Sequence, residues 1–256
     1  MSPLFLVYHQ DYLTSYYTST VESPARVKTI HSKLSNRFPI VVAQPAKRED
    51  ILRVHTSALV ERVESESRDT YETALLAAGG GIRASDEAMR GIPTFGLVRP
   101  PGHHAGPNRY WGYCFFNNIA VAIARLMADG TIASAVVIDI DLHDGDGTEA
   151  IFKDIPAVNV INVRAKTRTA FLEFLEQELG NCSETDLLGI SAGFDTYVRD
   201  WGGVLETEDY RVIGTTIRTA AHRLCQGRCF AVLEGGYYLP DLGKNVLAFC
   251  EGLAGL

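Results

Sequence analysis

Five side chains able to hold a cation or move a proton crowd one segment, Val137-Ile-Asp-Ile-Asp-Leu-His-Asp-Gly-Asp-Gly-Thr148. The aliphatic run ahead of it reads as a buried strand and leads straight into Asp139, Asp141, His143, Asp144 and Asp146. Four carboxylates within eight residues would repel one another severely in a partly dry site, so a bound cation is the natural remedy. If the extended conformation persists, alternation places Asp139, Asp141 and His143 on one side and turns Asp144 away. A second apolar run ends Leu188-Gly-Ile-Ser-Ala-Gly-Phe-Asp195. Its terminal carboxylate completes a set: two carboxylates and one imidazole make three protein ligands and leave a position open for water, as catalytic metal sites do.

Two further runs end in proton-transfer chemistry. Gly96-Leu-Val-Arg-Pro-Pro-Gly-His-His-Ala105 stops at its prolines and turns at Gly102, displaying His103 and His104 from a stiff loop. Adjacent histidines can serve one reaction centre as a base and an electrostatic helper, each needing a carboxylate to fix its tautomer. Val232-Leu-Glu-Gly-Gly-Tyr-Tyr238 offers glycines for close backbone approach and a tyrosine hydroxyl able to donate to a developing oxyanion. One of Tyr237 and Tyr238 is expected to be a half-buried core aromatic.

These segments need a scaffold. Apolar runs of strand length recur at Phe5–Tyr8, Thr94–Val98, Ala135–Ile140, Ala157–Val163, Leu187–Ser191 and Phe230–Leu233, and near-continuous aliphatic runs suit strands covered on both faces. Helical patterns lie between them at Ser23–Phe38, Arg48–Glu66, Thr70–Arg90, Asn117–Asp129, Ala170–Leu179, Glu208–Gln226 and Asp241–Leu253. The alternation predicts an α/β fold with a central, mostly parallel sheet, and functional loops beyond the carboxyl ends of its strands. With 256 residues, no internal repeat and no linker composition, a single domain over 1–256 is the economical expectation. Gly79-Gly-Gly81 sits inside a helical pattern and lacks the strand-then-GxGxxG context of a dinucleotide site.

Composition removes other classes. The 24 Lys and Arg against 31 Asp and Glu give a net charge of −7, and no basic run marks a nucleic-acid partner. No stretch approaches the roughly 18 apolar residues of a membrane helix, and Leu4–Tyr8 is too short and unflanked for a signal-peptide core. The expected location is the cytoplasm. Five cysteines, none in CxxC spacing, read as small buried hydrophobes without a chemical role. His9, His31, His55 and His222 fall outside the strand-end set and are expected to be surface or structural histidines.

Taken together, Arg99-Pro-Pro-Gly-His-His-Ala105, Gly112-Tyr-Cys-Phe-Phe-Asn-Asn118, Asp139-Ile-Asp-Leu-His143 with Gly145-Asp-Gly147, Ser191-Ala-Gly-Phe-Asp195 and Glu234-Gly-Gly-Tyr237 resemble the histone deacetylase superfamily, which includes acetylpolyamine amidohydrolases. The five motifs span nearly the whole chain in the family's order. The resemblance implies an arginase-like three-layer α/β fold and hydrolysis of an N-acyl amide, typically an N-acetyl group, of a substrate such as an acyl-lysine, an acetylpolyamine or another small acylated amine. By position it makes Asp141, His143 and Asp195 the ligands of Zn²⁺, or of Fe²⁺ in its place. It makes His103 and His104 the tandem histidines oriented by Asp139 and Asp146, Tyr237 the transition-state tyrosine, and Gly112 and Tyr113 the lining of the acyl channel. It also implies a K⁺ beside the Asp139–His143 backbone.

Since two carboxylate ligands neutralise a divalent cation, its bound water is acidified less than in an all-histidine site. A separate general base is therefore useful, and His104 is assigned to it.

The chain departs from the family pattern at several points. Asp144 stands where most relatives have a second histidine. Turned inward it would supply a carboxylate for a second ion, as in binuclear arginase-type ureohydrolases, although their Asp-Ala-His-x-Asp and Ser-x-Asp-x-Asp-x-x-Asp patterns are missing here. The segments around 63–70 and 164–170 are short, and no aspartate matches the family's substrate-gripping residue; Glu64 and Glu66 are the candidates. Tyr110 and Trp111 are placed at the mouth. The deletions imply a shallow, open site, or a homo-oligomer in which a neighbouring subunit supplies the missing wall. A non-catalytic acyl-ligand binder is the remaining alternative, and it has no need of the complete set of ligands, histidines and tyrosine.

Overall fold

The computed structural model describes residues 4–256. Among the described residues seven strands form one sheet: β1 (Phe5–Tyr8), β2 (Ile40–Val42), β3 (Thr94–Gly96), β4 (Ala135–Asp139), β5 (Val158–Asn162), β6 (Leu187–Ala192) and β7 (Cys229–Leu233). Their order is β2-β1-β3-β7-β6-β4-β5, with every neighbouring pair parallel. β3, β4, β6 and β7 are buried along their whole length, which is why they read as unbroken apolar runs and not as alternation.

Helices cover the sheet. The long α4 (Arg68–Met89) packs with α5 (Asn118–Ala128) against the central strands, while α1 (Pro24–Leu34), α8 (Thr207–Cys225) and α9 (Leu239–Ala254) form a second group. Gly79, Gly80 and Gly81 lie inside α4. Local chemistry sets the helix starts: the Asn117 side chain accepts from Ala120 N at 3.0 Å to open α5, and Ser67 accepts from Thr70 N at 3.0 Å to open α4.

The expected α/β architecture is present, with three differences in its elements. β2 has only three residues, and the period-2 signal needs more. The helical pattern Arg48–Glu66 is two helices, α2 (Arg48–Ile51) and α3 (Ser57–Glu66), because the Thr56 hydroxyl accepts from Leu59 N at 3.3 Å and restarts the helix. α6 (Asp146–Phe152) follows the acidic segment, where the glycines and carboxylates hid a helical start. α7 (Arg168–Asn181) completes the set.

Among the described residues no helix is long and apolar enough to cross a membrane. β3, β7, β6 and β4 are consecutive in the sheet, so the four chemistry-bearing segments emerge side by side at its carboxyl edge, as parallel sheets favour.

Candidate metal and hydrolytic centre

The loop after β3 is tied down before it presents any histidine. The Glu234 carboxylate, just beyond β7, accepts from Gly102 N at 2.6 Å and His103 N at 3.1 Å. Thr148 N donates to His103 O at 3.1 Å, and Asn117 Nδ2 donates to Ala105 O at 3.1 Å. Burial pushes the Glu234 carboxyl up to about 7 against the pull of His103.

Both histidines meet the carboxylates assigned to them. His103 Nδ1 lies 2.9 Å from Asp139 Oδ2, and His104 Nδ1 lies 2.7 Å from Asp146 Oδ1. Their environments split them. Burial opposes charge on His103, but Asp139 and Asp141 prevail and raise it well above its ordinary value. Burial, then the neighbouring His103 charge, push His104 down to about 4 against the pull of Asp146. His104 is therefore unprotonated at neutral pH, the state a base requires.

Asp141, His143 and Asp195 form the group whose ligand atoms all lie within 4.8 Å of one another. His143 Nδ1 faces Asp141 Oδ1 at 3.3 Å and Asp195 Oδ2 at 3.2 Å. Those carboxylates push the imidazole up to about 10, which means that the pocket attracts positive charge. Asp141 Oδ2 accepts from Gly235 N at 2.8 Å and Asp195 Oδ1 from Leu142 N at 3.0 Å, whereas Asp195 Oδ2 is buried with no hydrogen bond. An orphaned carboxylate oxygen beside an imidazole nitrogen is what a divalent ion would satisfy.

The backbone is shaped to this pocket. A Cβ at Gly235 would stand 2.5 Å from Asp141 Oδ2 and 2.8 Å from Asp195 Oδ2, and one at Gly193 would stand 2.5 Å from Asp141 Cα. A second cluster, His103, Cys114 and Glu234, also has ligand atoms within 4.8 Å of one another. Its Glu234 Oε2 is committed to the Gly102 and His103 amides, while Oε1 is buried with no hydrogen bond.

Tyr237 lies near enough to this centre for the Asp141 and Asp195 charges to act on its hydroxyl. Burial holds its hydroxyl well above its ordinary value, so it stays protonated and can donate. Tyr238 instead packs on Tyr197, ring centroids 6.2 Å apart, and starts α9. Gly112 and Tyr113 occupy consecutive left-handed backbone positions, φ +58° and +67°. A Cβ at Gly112 would overlap the His104 ring, and Tyr113 meets Tyr237 edge-on at 6.2 Å.

Trp111 is half exposed, lies 3.9 Å from the His104 ring, and donates from Nε1 to Asp146 at 3.1 Å. Tyr110 donates to Glu66. Glu64 pairs instead with Arg48 at 3.2 Å. Asp144 turns outward to Arg164 Nε at 2.7 Å, not into the triad.

Three features went unread in the sequence. Glu22, Arg26 and Arg99 are buried together: Arg99 Nε lies 3.0 Å from Glu22 Oε1, Arg26 Nη1 3.2 Å from the same atom, and Arg26 Nε donates to Gly236 O at 2.6 Å. The Glu-x-x-x-Arg spacing of 22 and 26 was the one available signal. The Glu234 clamp had none, nor did the stacking of the Trp201 indole on the Tyr237 ring. Beside His143 a cleft of about 700 Å³ runs past Leu142 to Val163, Ala165 and Phe171.

A model of the "Histone deacetylase domain" matches residues 20–171. A "Probable deacetylase" of Methanothermobacter thermautotrophicus is 31% identical over 98% of this chain and 91% of its own length. The chain belongs to the histone deacetylase family. Other members include a "Histone deacetylase-like amidohydrolase" of Pseudomonas aeruginosa, 29% identical over 94% of this chain and 77% of its own. An "Acetylpolyamine amidohydrolase" of Mycoplana ramosa is 32% identical over 74% of this chain and 65% of its own. The crystal structure of the HDA15 HD domain superposes with a TM-score of 0.87 at 24% identity, covering 100% of this chain and 90% of that one, which fixes the deacetylase-type fold. The alignment with the Methanothermobacter protein is 308 residues long, longer than the 256-residue chain itself, so this chain has fewer residues than that relative over the aligned span.

Proposed function

We propose that this chain, as a single catalytic domain over 1–256, is a metal-dependent amidohydrolase that removes an acyl group, acetyl in the first instance, from an N-acylated amine. What supports the reading most is the clustering of the Asp141, His143 and Asp195 ligand atoms with the carboxylate-oriented His104 ring 5.9 Å from that of His143, and we assign Tyr237 as the donor on the same pocket. The name of one relative, an acetylpolyamine amidohydrolase, supports acetylated polyamines, and acyl-lysine or another small acylated amine belongs to the same proposal.

Asp141, His143 and Asp195 would hold Zn²⁺, or Fe²⁺. Bound there, the ion supplies Lewis acidity toward the amide oxygen and the attacking water. His104 takes the proton of that water at Nε2, with Asp146 on Nδ1 stabilising the imidazolium, and returns it to the amine nitrogen as the C–N bond breaks. Tyr237 donates to the carbonyl oxygen as it gains negative charge. Asp139 keeps His103 charged beside that oxygen. Gly112 and Tyr113 line the approach of the acyl amide. The K⁺ beside the Asp139–His143 backbone belongs to the same proposal.

Tyr237→Phe tests it. The variant should bind one equivalent of metal by elemental analysis and lose roughly 10²–10³ in kcat, the usual cost of one oxyanion donor; near-wild-type turnover refutes the assignment. The outward Asp144 favours one ion over two, and the same elemental analysis reports both this stoichiometry and any K⁺.

A further inference from the structure

The loop after β6 does more than carry Asp195. It continues through Asp200 and Trp201 and returns against the Tyr237 turn. Asp200 Oδ2 accepts the backbone N–H of both Tyr237, at 2.6 Å, and Tyr238, at 2.7 Å. Its other oxygen accepts from Trp201 N at 2.9 Å. The Trp201 indole stacks on the Tyr237 ring, centroids 4.2 Å apart and planes 20° apart. The Arg26 guanidinium lies over the same ring at 4.8 Å, and since two such neighbours cannot share a face, Tyr237 is held between them.

The arrangement answers a specific weakness. Tyr237 follows two glycines, and Gly236 sits at φ +119°, so its own turn offers little resistance to the ring swinging away. Trp201 is 52% exposed, so filling the core does not account for it. The loop itself is fastened to the metal-side residues, with Gly202 N donating to Asp195 O at 2.8 Å and Val204 N to Thr196 O at 3.0 Å.

We propose that Asp200 and Trp201 are positioning residues for Tyr237, Asp200 through its backbone and Trp201 through its ring. They thereby couple the loop that bears Asp195 to the placement of the oxyanion donor. The proposal rests on the reading of Tyr237 given above.

A kinetic double-mutant cycle on the metal-loaded enzyme, with an N-acetylated alkyldiamine as substrate, tests it. Asp200→Ala should lower kcat by about 10–10², the scale of a donor misplaced by an ångström, with KM within about twofold and metal content unchanged. In a Tyr237→Phe background the same change should cost less than about twofold, because residues acting as a unit are non-additive. Trp201→Ala should behave like Asp200→Ala and Trp201→Phe should restore turnover. Trp201 is half exposed, so this pair keeps the test intact if Asp200→Ala does not fold.

Independently of activity, Trp201 becomes the sole tryptophan in a Trp111→Phe background, and Asp200→Ala should raise its quenching by acrylamide. Equal losses of kcat with and without the Tyr237 hydroxyl, unchanged quenching, or a KM rise at constant kcat, which would make Trp201 a substrate platform, each overturn the proposal. Full activity of Tyr237→Phe by itself overturns the underlying functional reading instead.

Discussion

His55 allows the packing beneath the histidine loop to be tested by pH. The residue is 3% exposed. Its Nδ1 lies 2.8 Å from Gly106 O, so Nδ1 carries the hydrogen, and its Nε2 accepts from Asn117 N at 3.0 Å. A second proton would have to occupy Nε2, breaking that bond and burying a charge. Burial accordingly pushes His55 down to about 4, opposed by the Gly106 bond.

In the unfolded chain a histidine titrates near ~6.5. Between those values the unfolded state binds a proton that the folded state refuses, so stability is complete above about pH 6.5 and falls as pH drops to 4. At about 1.4 kcal/mol per pH unit this is about 3 kcal/mol in all, of which about 2 is lost by pH 5. Urea unfolding of wild type and His55→Gln at pH 8 and pH 5, at equal metal loading, cancels every other titration. The variant should be less stable at pH 8 by about 1–2 kcal/mol for its disturbed hydrogen bonds, and since wild type alone loses about 2 kcal/mol by pH 5 the gap should close or change sign there. A gap of the same size at both pH values would falsify the buried, neutral assignment.

Three further outcomes are expected. Gly193→Ala places a methyl carbon 2.5 Å from Asp141 Cα, so a folded variant should carry well under one equivalent of metal by elemental analysis; full occupancy contradicts the close-approach argument. Asp146→Asn removes the charge that supports protonation of His104, so the plateau of kcat/KM should fall about 10–10²-fold and the acid limb should move to lower pH; movement to higher pH refutes the pairing. An acyl-length series should show tolerance of chains longer than acetyl, given the cleft of about 700 Å³ beside His143, and steep preference for acetyl counts against an open pocket.

The strand ends were legible because burial on both faces writes an unbroken apolar run, and a carboxylate at the end of such a run has no structural reason to be there. Hence Asp139, Asp141 and Asp195 could be placed at the carboxyl edge, whereas the joining of His103 and His104 to Asp139 and Asp146 came from the resemblance to the family and not from the strand pattern. The Glu22–Arg99 pair could not, since its partners are 77 residues apart and nothing local distinguishes a buried glutamate from a solvated one. Glu234 was visible as part of a motif but not as a clamp, because its contacts are backbone amides, which leave no trace in residue identity. β2 was lost to its length, and α6 to a start made of the same carboxylates that serve the site.

The two departures expected from the family pattern, at Asp144 and in the loop after β5, meet one another in the structure. A histidine after His143 would present a bulky, intermittently charged ring to the loop between β5 and α7. Here that loop is reduced to residues 163–167, and Asp144 meets its first cation, Arg164, at 2.7 Å, while Arg164 Nη2 reaches Glu149 at 3.5 Å. Beneath them Asn162 Oδ1 accepts from Gly145 N at 2.8 Å. An exposed ion pair contributes little stability in water, so its effect is geometric: it fastens the shortened loop to the segment bearing Asp141 and His143 without covering the triad. The metal-side loop keeps this support and leaves the cleft beside His143 open, so changes in the loop should alter which acyl amines enter far more than how the amide is cut.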